Sequence, residues 1–184
     1  IKWEQQKINK NLVEKVKQDH KLGNILSHLI VSRNYDISEI YGINNNQKLT
    51  NIFKDDNDFK KASSVILNSI KRNENICILG DYDVDGTTSV AMVSSFLDAL
   101  DVQIVPYIPM RYQEGYGVSK DGVDRARKSG CTVLITLDCG TKDFEALDYA
   151  KKYGIDTIVC DHHLPGDEIP NCFALLNPKQ PRSG

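Results

Sequence analysis

The 184 residues carry 23 Lys and Arg against 25 Asp and Glu, a formal net charge of −2, with 40% hydrophobic and 26% charged side chains. That composition fits one globular domain with a small appendage and excludes a collagen-like or intrinsically disordered chain. No apolar run is long enough for a membrane helix, and the near-zero net charge means that any phosphate-binding role needs a local site, such as a metal.

Ile1-Lys2-Trp3-Glu4 has no apolar signal region. The chain begins without Met and ends at Pro181-Arg182-Ser183-Gly184, so a piece of a longer protein is expected. Five scattered cysteines form no disulfide framework, which predicts reduced thiols in a cytoplasmic protein.

Residues 1–73 read as a helical N-terminal region without proline. Trp3, Ile8, Leu12 and Val16 predict one amphipathic helix, and Ile25, Leu26, Leu29 and Ile30 a second. Asn44-Asn45-Asn46 marks a loop. Phe59, Ala62, Val65, Ile66 and Ile70 predict a third helix, with its N-cap at Asn57-Asp58. The lysines between Lys7 and Lys21 are interspersed with Glu and Asp, a solvated helix face rather than a DNA-binding stripe.

From residue 74 onward the rhythm changes. Short apolar runs at 76–79, 102–108, 132–137, 155–160 and 173–176 alternate with helical stretches at 88–100, 119–128 and 142–153. Continuous apolar strands separated by helices predict an α/β domain over 74–184, a doubly wound, mostly parallel sheet with the helical region as its N-terminal extension. In such sheets the chemistry lies beyond the carboxyl ends of the strands.

The first strand runs into Gly80-Asp81-Tyr82-Asp83-Val84-Asp85-Gly86, the third into Asp138-Cys139-Gly140, and the fourth into Asp161-His162-His163. One Asp at a strand end is accounted for by helix capping. Five acids and two imidazoles converging on one edge repel each other unless a cation balances them. Oxygen ligands with imidazole suit Mn²⁺, Mg²⁺ or Fe²⁺, and the imidazole favours Mn²⁺ over Mg²⁺. Two other sources of the first motif fit less well. A calcium-binding EF-hand loop would need Glu where Met92 stands. A phosphatase of the haloacid-dehalogenase type, with Asp83 as nucleophile and Asp85 as acid–base, leaves Asp138 and the His pair unused.

These three motifs, in this order, resemble those of the DHH phosphoesterase superfamily. Within it the match is closest to the bacterial single-strand-specific DNA exonucleases, supported by Arg111-Tyr112-Gln113-Glu114-Gly115-Tyr116-Gly117-Val118-Ser119 and Asn177-Pro178-Lys179-Gln180-Pro181. The resemblance implies two Mn²⁺ or Mg²⁺ ions bridged by Asp138, with Asp83 and Asp85 serving one ion each and His162 as the imidazole ligand. Many family members place a His where Leu79 stands, and Asp81 is expected to take over that ligand's role. His163 is expected to meet the phosphate, and Asp161 to orient a ring or cap the next turn. The implied reaction is in-line attack by an activated water on a phosphodiester. The implied substrate is single-stranded DNA, cut from its 5′ end into mononucleotides during repair and recombination, with Arg111, Tyr112 and Tyr116 bordering the strand. Alternatives are another hydrolase of the superfamily, acting on short oligonucleotides, cyclic dinucleotides or pyrophosphate, and a non-catalytic nucleic-acid-binding module. The family's fourth motif and its C-terminal substrate-binding domain find no counterpart here. Asp167 reads as a loop acid, and an incomplete catalytic domain is expected.

Overall fold

The structure, a computed structural model, describes residues 7–35 and 51–180. It divides into two compact units, residues 1–50 and 51–184. In the first, helix α1 (Lys10–Asp19) is capped by Asn9, whose side chain accepts from the N–H groups of Asn11 and Leu12. Helix α2 (Asn24–Ser32) follows. Val16 and Ile30 pack together with Leu22 and Val31. The buried stripe of α1 is Val13 and Val16, while Leu12, expected on that stripe, is exposed. Ile25, Leu26 and Leu29 of α2 are exposed as well. Trp3 and the Asn44–Asn46 loop lie outside the described residues.

The second unit opens with helix α3 (Asn57–Lys71), capped by Asp56, one residue ahead of the predicted cap. One Asp56 oxygen accepts from Asp58 N at 2.7 Å and Phe59 N at 3.2 Å. The sequence grouped α3 with the N-terminal region, divided at 73/74. In the structure Ala62, Val65, Ile66 and Ile70 pack onto the sheet core, and Asp58 Oδ2 accepts the N–H of Leu175 at 3.0 Å. The helix therefore belongs to the α/β unit, because its apolar stripe is buried there.

Strands β1 (Asn75–Gly80), β2 (Ile104–Tyr107), β3 (Cys131–Leu137), β4 (Asp156–Cys160) and β5 (Ala174–Leu176) form one sheet in the order β2-β1-β3-β4-β5. Every pairing is parallel, as expected. Between them lie α4 (Val84–Asp98), α5 (Lys120–Lys128) and α6 (Phe144–Lys152). Alternate residues of each strand face opposite layers. Ile76, Ile78, Val133 and Ile135 join Ala62 of α3 and Val90 and Leu97 of α4. Cys77, Leu79 and Leu134 join Val123 and Ala126 of α5 and Ala146 and Ala150 of α6. Burial on both faces explains the continuous apolar runs. Among the described residues, no helix is long and apolar enough to cross a membrane.

Helix α4 begins four residues before the predicted Thr88. The polar run Val84-Asp85-Gly86-Thr87 has no apolar period, yet Asp83 caps it by accepting from Gly86 N at 3.1 Å. The helix end presses on the strand end: a Cβ on Gly86 would stand 2.3 Å from the carbonyl oxygen of Asp81. Gly86→Ala is therefore expected to destabilise the protein by about 1–3 kcal/mol through overpacking, although Ala is the better helix former. A lowered urea midpoint with unchanged slope is the expected result; a raised midpoint would show that the backbone gives way.

Candidate metal centre

The strand register aligns Gly80, Leu137 and Cys160 in one row, with Leu176 paired to Cys160. One residue further, Asp81 N donates to Leu137 O, Asp138 N to Cys160 O and Asp161 N to Leu176 O, at 3.3, 2.9 and 3.1 Å. The sheet ladder thus runs one step past the strands and sets three aspartates side by side, all buried. They sit where β1 neighbours β3, the switch point at which doubly wound sheets hold their ligands. Asp138 has φ +62, left-handed backbone that Asp tolerates better than most side chains. Such a conformation costs about 1–3 kcal/mol and recurs at functional sites.

Asp81 Oδ1 and both carboxylate oxygens of Asp138 are buried without a hydrogen-bond partner. His162 Nε2 stands 2.9 Å from Asp138 Oδ1, close but not aligned for a hydrogen bond. His163 Nδ1 lies 4.0 Å from the same oxygen. Ligand atoms of Asp138, His162 and His163 all fall within 4.8 Å of one another. Burial, and then the neighbouring Asp83 carboxylate, push the Asp138 pKa up. The exposed Asp83 is held low, chiefly by the Gly86 N–H. Asp85, in the first turn of α4, lines a cavity of about 410 Å³ together with Asp138, Asp161 and His162. The structure thus brings Asp83, Asp85, Asp138, His162 and His163 to one edge, with Asp81 one strand away in the same row. Unpartnered buried carboxylate oxygens beside imidazole nitrogens are a donor set that fits a divalent cation.

Asp161 is engaged differently. Its Oδ1 accepts from the backbone N–H of His162 and His163 at 2.7 and 3.1 Å, and meets His163 Nδ1 at 2.8 Å. Its Oδ2 accepts from Thr141 N at 3.0 Å. Asn177 ties this turn down, its Nδ2 donating to Thr141 Oγ1 at 3.0 Å and to His163 O at 2.9 Å. The Tyr116 hydroxyl stands 3.2 Å from His163 Nδ1 and donates to Asp138 O at 3.4 Å. Arg111 stacks over the ring of Tyr82, 5.3 Å from its centroid, and Tyr112 is fully exposed beside it. Asp167 is exposed in its loop.

The sequence assigned no role to Thr141, and Asn177 stood out only within the Asn177-Pro178-Lys179-Gln180-Pro181 segment, since the spacing of neither from the His pair carries a signal. Burial marks both, at 1% and 5% exposure.

The family model described as the DHH family, N-terminal domain, matches residues 75–184, more than half of the chain. The chain belongs to the DHH family. Its similarity to single-stranded-DNA-specific exonuclease RecJ of Bacillus subtilis is 32% identity over 183 residues, 98% of this chain and 23% of that protein. The Escherichia coli protein of the same name is 36% identical over 120 residues, 65% of this chain and 21% of that one. The chain spans less than a quarter of the length of these curated relatives. A crystal structure of exonuclease RecJ bound to manganese superposes with a TM-score of 0.61 at 30% identity, over 68% of this chain and 32% of that one. RecJ from Thermus thermophilus in complex with Mn²⁺ gives 0.61 at 22% identity, over 91% of this chain and 23% of that one, a likeness of fold. The DHH-family tripeptide of this chain is Asp161-His162-His163.

Burial would raise the pKa of Asp161, but hydrogen bonds from Thr141 and His163 outweigh it and hold the group at about 2, below the ordinary 3.8. A depressed carboxyl stabilises the fold above its ordinary pKa and loses that contribution as pH falls toward the folded value. Asp161→Asn should therefore cost about 2 kcal/mol near neutral pH, and its difference from wild type should narrow as pH falls from about 5 to about 2. Urea unfolding at several pH values reads this; a gap that widens in acid would overturn it.

Proposed function

We propose that this chain carries the metal-binding core of a phosphodiesterase, a nuclease that degrades single-stranded DNA from the 5′ end to mononucleotides, with Mn²⁺ or Mg²⁺ as cofactor. The observation that carries this reading is the buried Asp138 carboxylate, with neither oxygen hydrogen-bonded and two imidazoles beside it. A buried carboxylate without donors is costly unless a cation neutralises it. The similarity to single-stranded-DNA-specific exonucleases and to a manganese-bound RecJ supports the same reading.

In this reading Asp138, Asp83, Asp85, His162 and Asp81 would hold the cations. When bound, such ions acidify a water for in-line attack on phosphorus and offset charge on the departing oxygen. His163 supplies a donor to a non-bridging phosphate oxygen, its ring rotation set by Asp161 at Nδ1. Arg111 contacts a backbone phosphate, and the exposed Tyr112, with Tyr116, borders the strand, whose bases stack on aromatic rings rather than being read at their edges. The five free cysteines suit action in the cytoplasm, in DNA repair and recombination.

The test uses the natural protein that contains these residues, with 5′-labelled single strands and Mn²⁺. Wild type should release mononucleotides from long single strands and spare duplexes; turnover confined to dinucleotides or pyrophosphate would assign another hydrolase of the family. Asp138→Ala should abolish turnover and most Mn²⁺ binding. His163→Ala should lower turnover by about 10²-fold or more, the scale of a lost transition-state donor, and leave Mn²⁺ affinity largely intact by calorimetry. Equal loss of affinity in both variants would make His163 a metal ligand.

A further inference from the structure

The loop between β2 and α5 carries Arg111, Tyr112 and Tyr116, and one side chain ties it together. Glu114 Oε2 accepts from the hydroxyl of Tyr107, the last residue of β2, and from Ser119 Oγ at 3.4 Å. Ser119 is the N-cap of α5. Glu114 Oε1 accepts from Met110 N at 3.0 Å, and Glu114 N donates to Met110 O at 2.9 Å. A single carboxylate thus joins both ends of the loop to its first turn. Tyr107 is fixed in its turn by Arg125 of α5, whose guanidinium lies 5.0 Å from the ring centroid.

Tyr116 stands two residues beyond Glu114, between Gly115 and Gly117, both at φ +82. Two flanking glycines give it the least constrained backbone in the loop, so its placement has to come from anchors on either side. Glu114 is one. Asp143, at the start of α6, is the other: its Oδ2 accepts Val118 N at 2.7 Å, and a Cβ on Gly117 would stand 2.6 Å from that oxygen. Between these anchors the Tyr116 ring meets His163 edge-on, at 78° and 5.7 Å between centroids. The Tyr116 hydroxyl lies 3.2 and 3.3 Å from the two imidazole nitrogens and donates to Asp138 O. Asp161 meets Nδ1 of the same imidazole at 2.8 Å. The ring is held from two directions, by a carboxylate of its own turn and by a phenol from a distant loop.

We infer that Glu114 is a positioning residue: it sets the His163 ring through Tyr116, with its own oxygens committed to the loop. The inference rests on the nuclease reading above and adds to it a second support for the imidazole that meets the phosphate.

The experiment compares wild type, Glu114→Ala, Tyr116→Phe, the double variant and Glu114→Gln in the natural protein, with 5′-labelled single strands and Mn²⁺. At saturating strand each of Glu114→Ala and Tyr116→Phe should lower kcat by about tenfold, the scale of one neutral hydrogen bond. Because both act on the same ring, the double variant should fall no further than the worse single variant, whereas independent losses would multiply to about a hundredfold. Glu114→Gln should recover most of the loss: its amide oxygen still accepts the Met110 N–H, and the Tyr107 and Ser119 hydroxyls can turn to accept from its NH₂. Multiplying losses, or a Glu114→Ala variant that raises KM with kcat unchanged, would overturn the proposal. If wild type degrades no single strand, the nuclease reading fails on its own, and NMR of carbon-13-labelled histidine in the Mg²⁺ protein decides Glu114. The His163 ring signals, identified by their loss in His163→Gln, should shift in the same direction in Glu114→Ala and Tyr116→Phe. Unmoved His163 signals in Glu114→Ala would overturn the proposal.

Discussion

A carboxylate buried without a donor is the constraint around which this domain is arranged. Asp138 lies at the centre of a parallel sheet edge, with neither oxygen hydrogen-bonded. Its neighbours include another aspartate, Asp83, that raises its pKa. In a protein interior such a group is expensive, and removing the carboxylate or giving it hydrogen-bond donors would be the cheaper solution for stability alone. The fold does neither at Asp138. It does so at Asp161, one strand end along the same row, where every oxygen is occupied by main-chain or imidazole donors. The contrast between neighbouring aspartates, one saturated and one bare, separates a residue that builds the turn from one left available to a cation.

The rest of the domain serves to hold that edge still. Apolar layers on both faces bury the strands, so the register that aligns Asp81, Asp138 and Asp161 cannot slip without moving the entire core. Gly86 lets the first turn of α4 sit against the backbone of Asp81, which carries Asp83 and Asp85 to the same edge. Asn177 bridges the turn after β3 to the histidine pair after β4. Rigid elements thus surround a cluster of like charges that would otherwise push itself apart.

Helix α3 shows where pattern and packing part company. Its amphipathic stripe is evident in Phe59, Ala62, Val65, Ile66 and Ile70, but a stripe does not name its partner. By composition the helix resembles the polar region before it; by contact it covers the sheet face that Val90 and Leu97 share. The start of α4 posed the opposite difficulty. The Asp83–Thr87 run looks like a loop because it is polar, and capping by Asp83, with Thr87 and Thr88 hydroxyls returned to main-chain carbonyls, makes it helical.

The sequence by itself determined the strands, their parallel arrangement and the residues at their ends, because buried parallel strands are continuous apolar runs and the acids that interrupt them stand out. It also determined the family, since three motifs in fixed order are more specific than any one of them. Tertiary structure alone decided which aspartates are bare and which are satisfied. That depends on donors from Thr141 and the His pair, and on Asn177, brought together from separate strand ends. It alone turned Tyr116 toward His163. Residues far apart in the chain meet only through the sheet register, and no local pattern records which of them will face the same space.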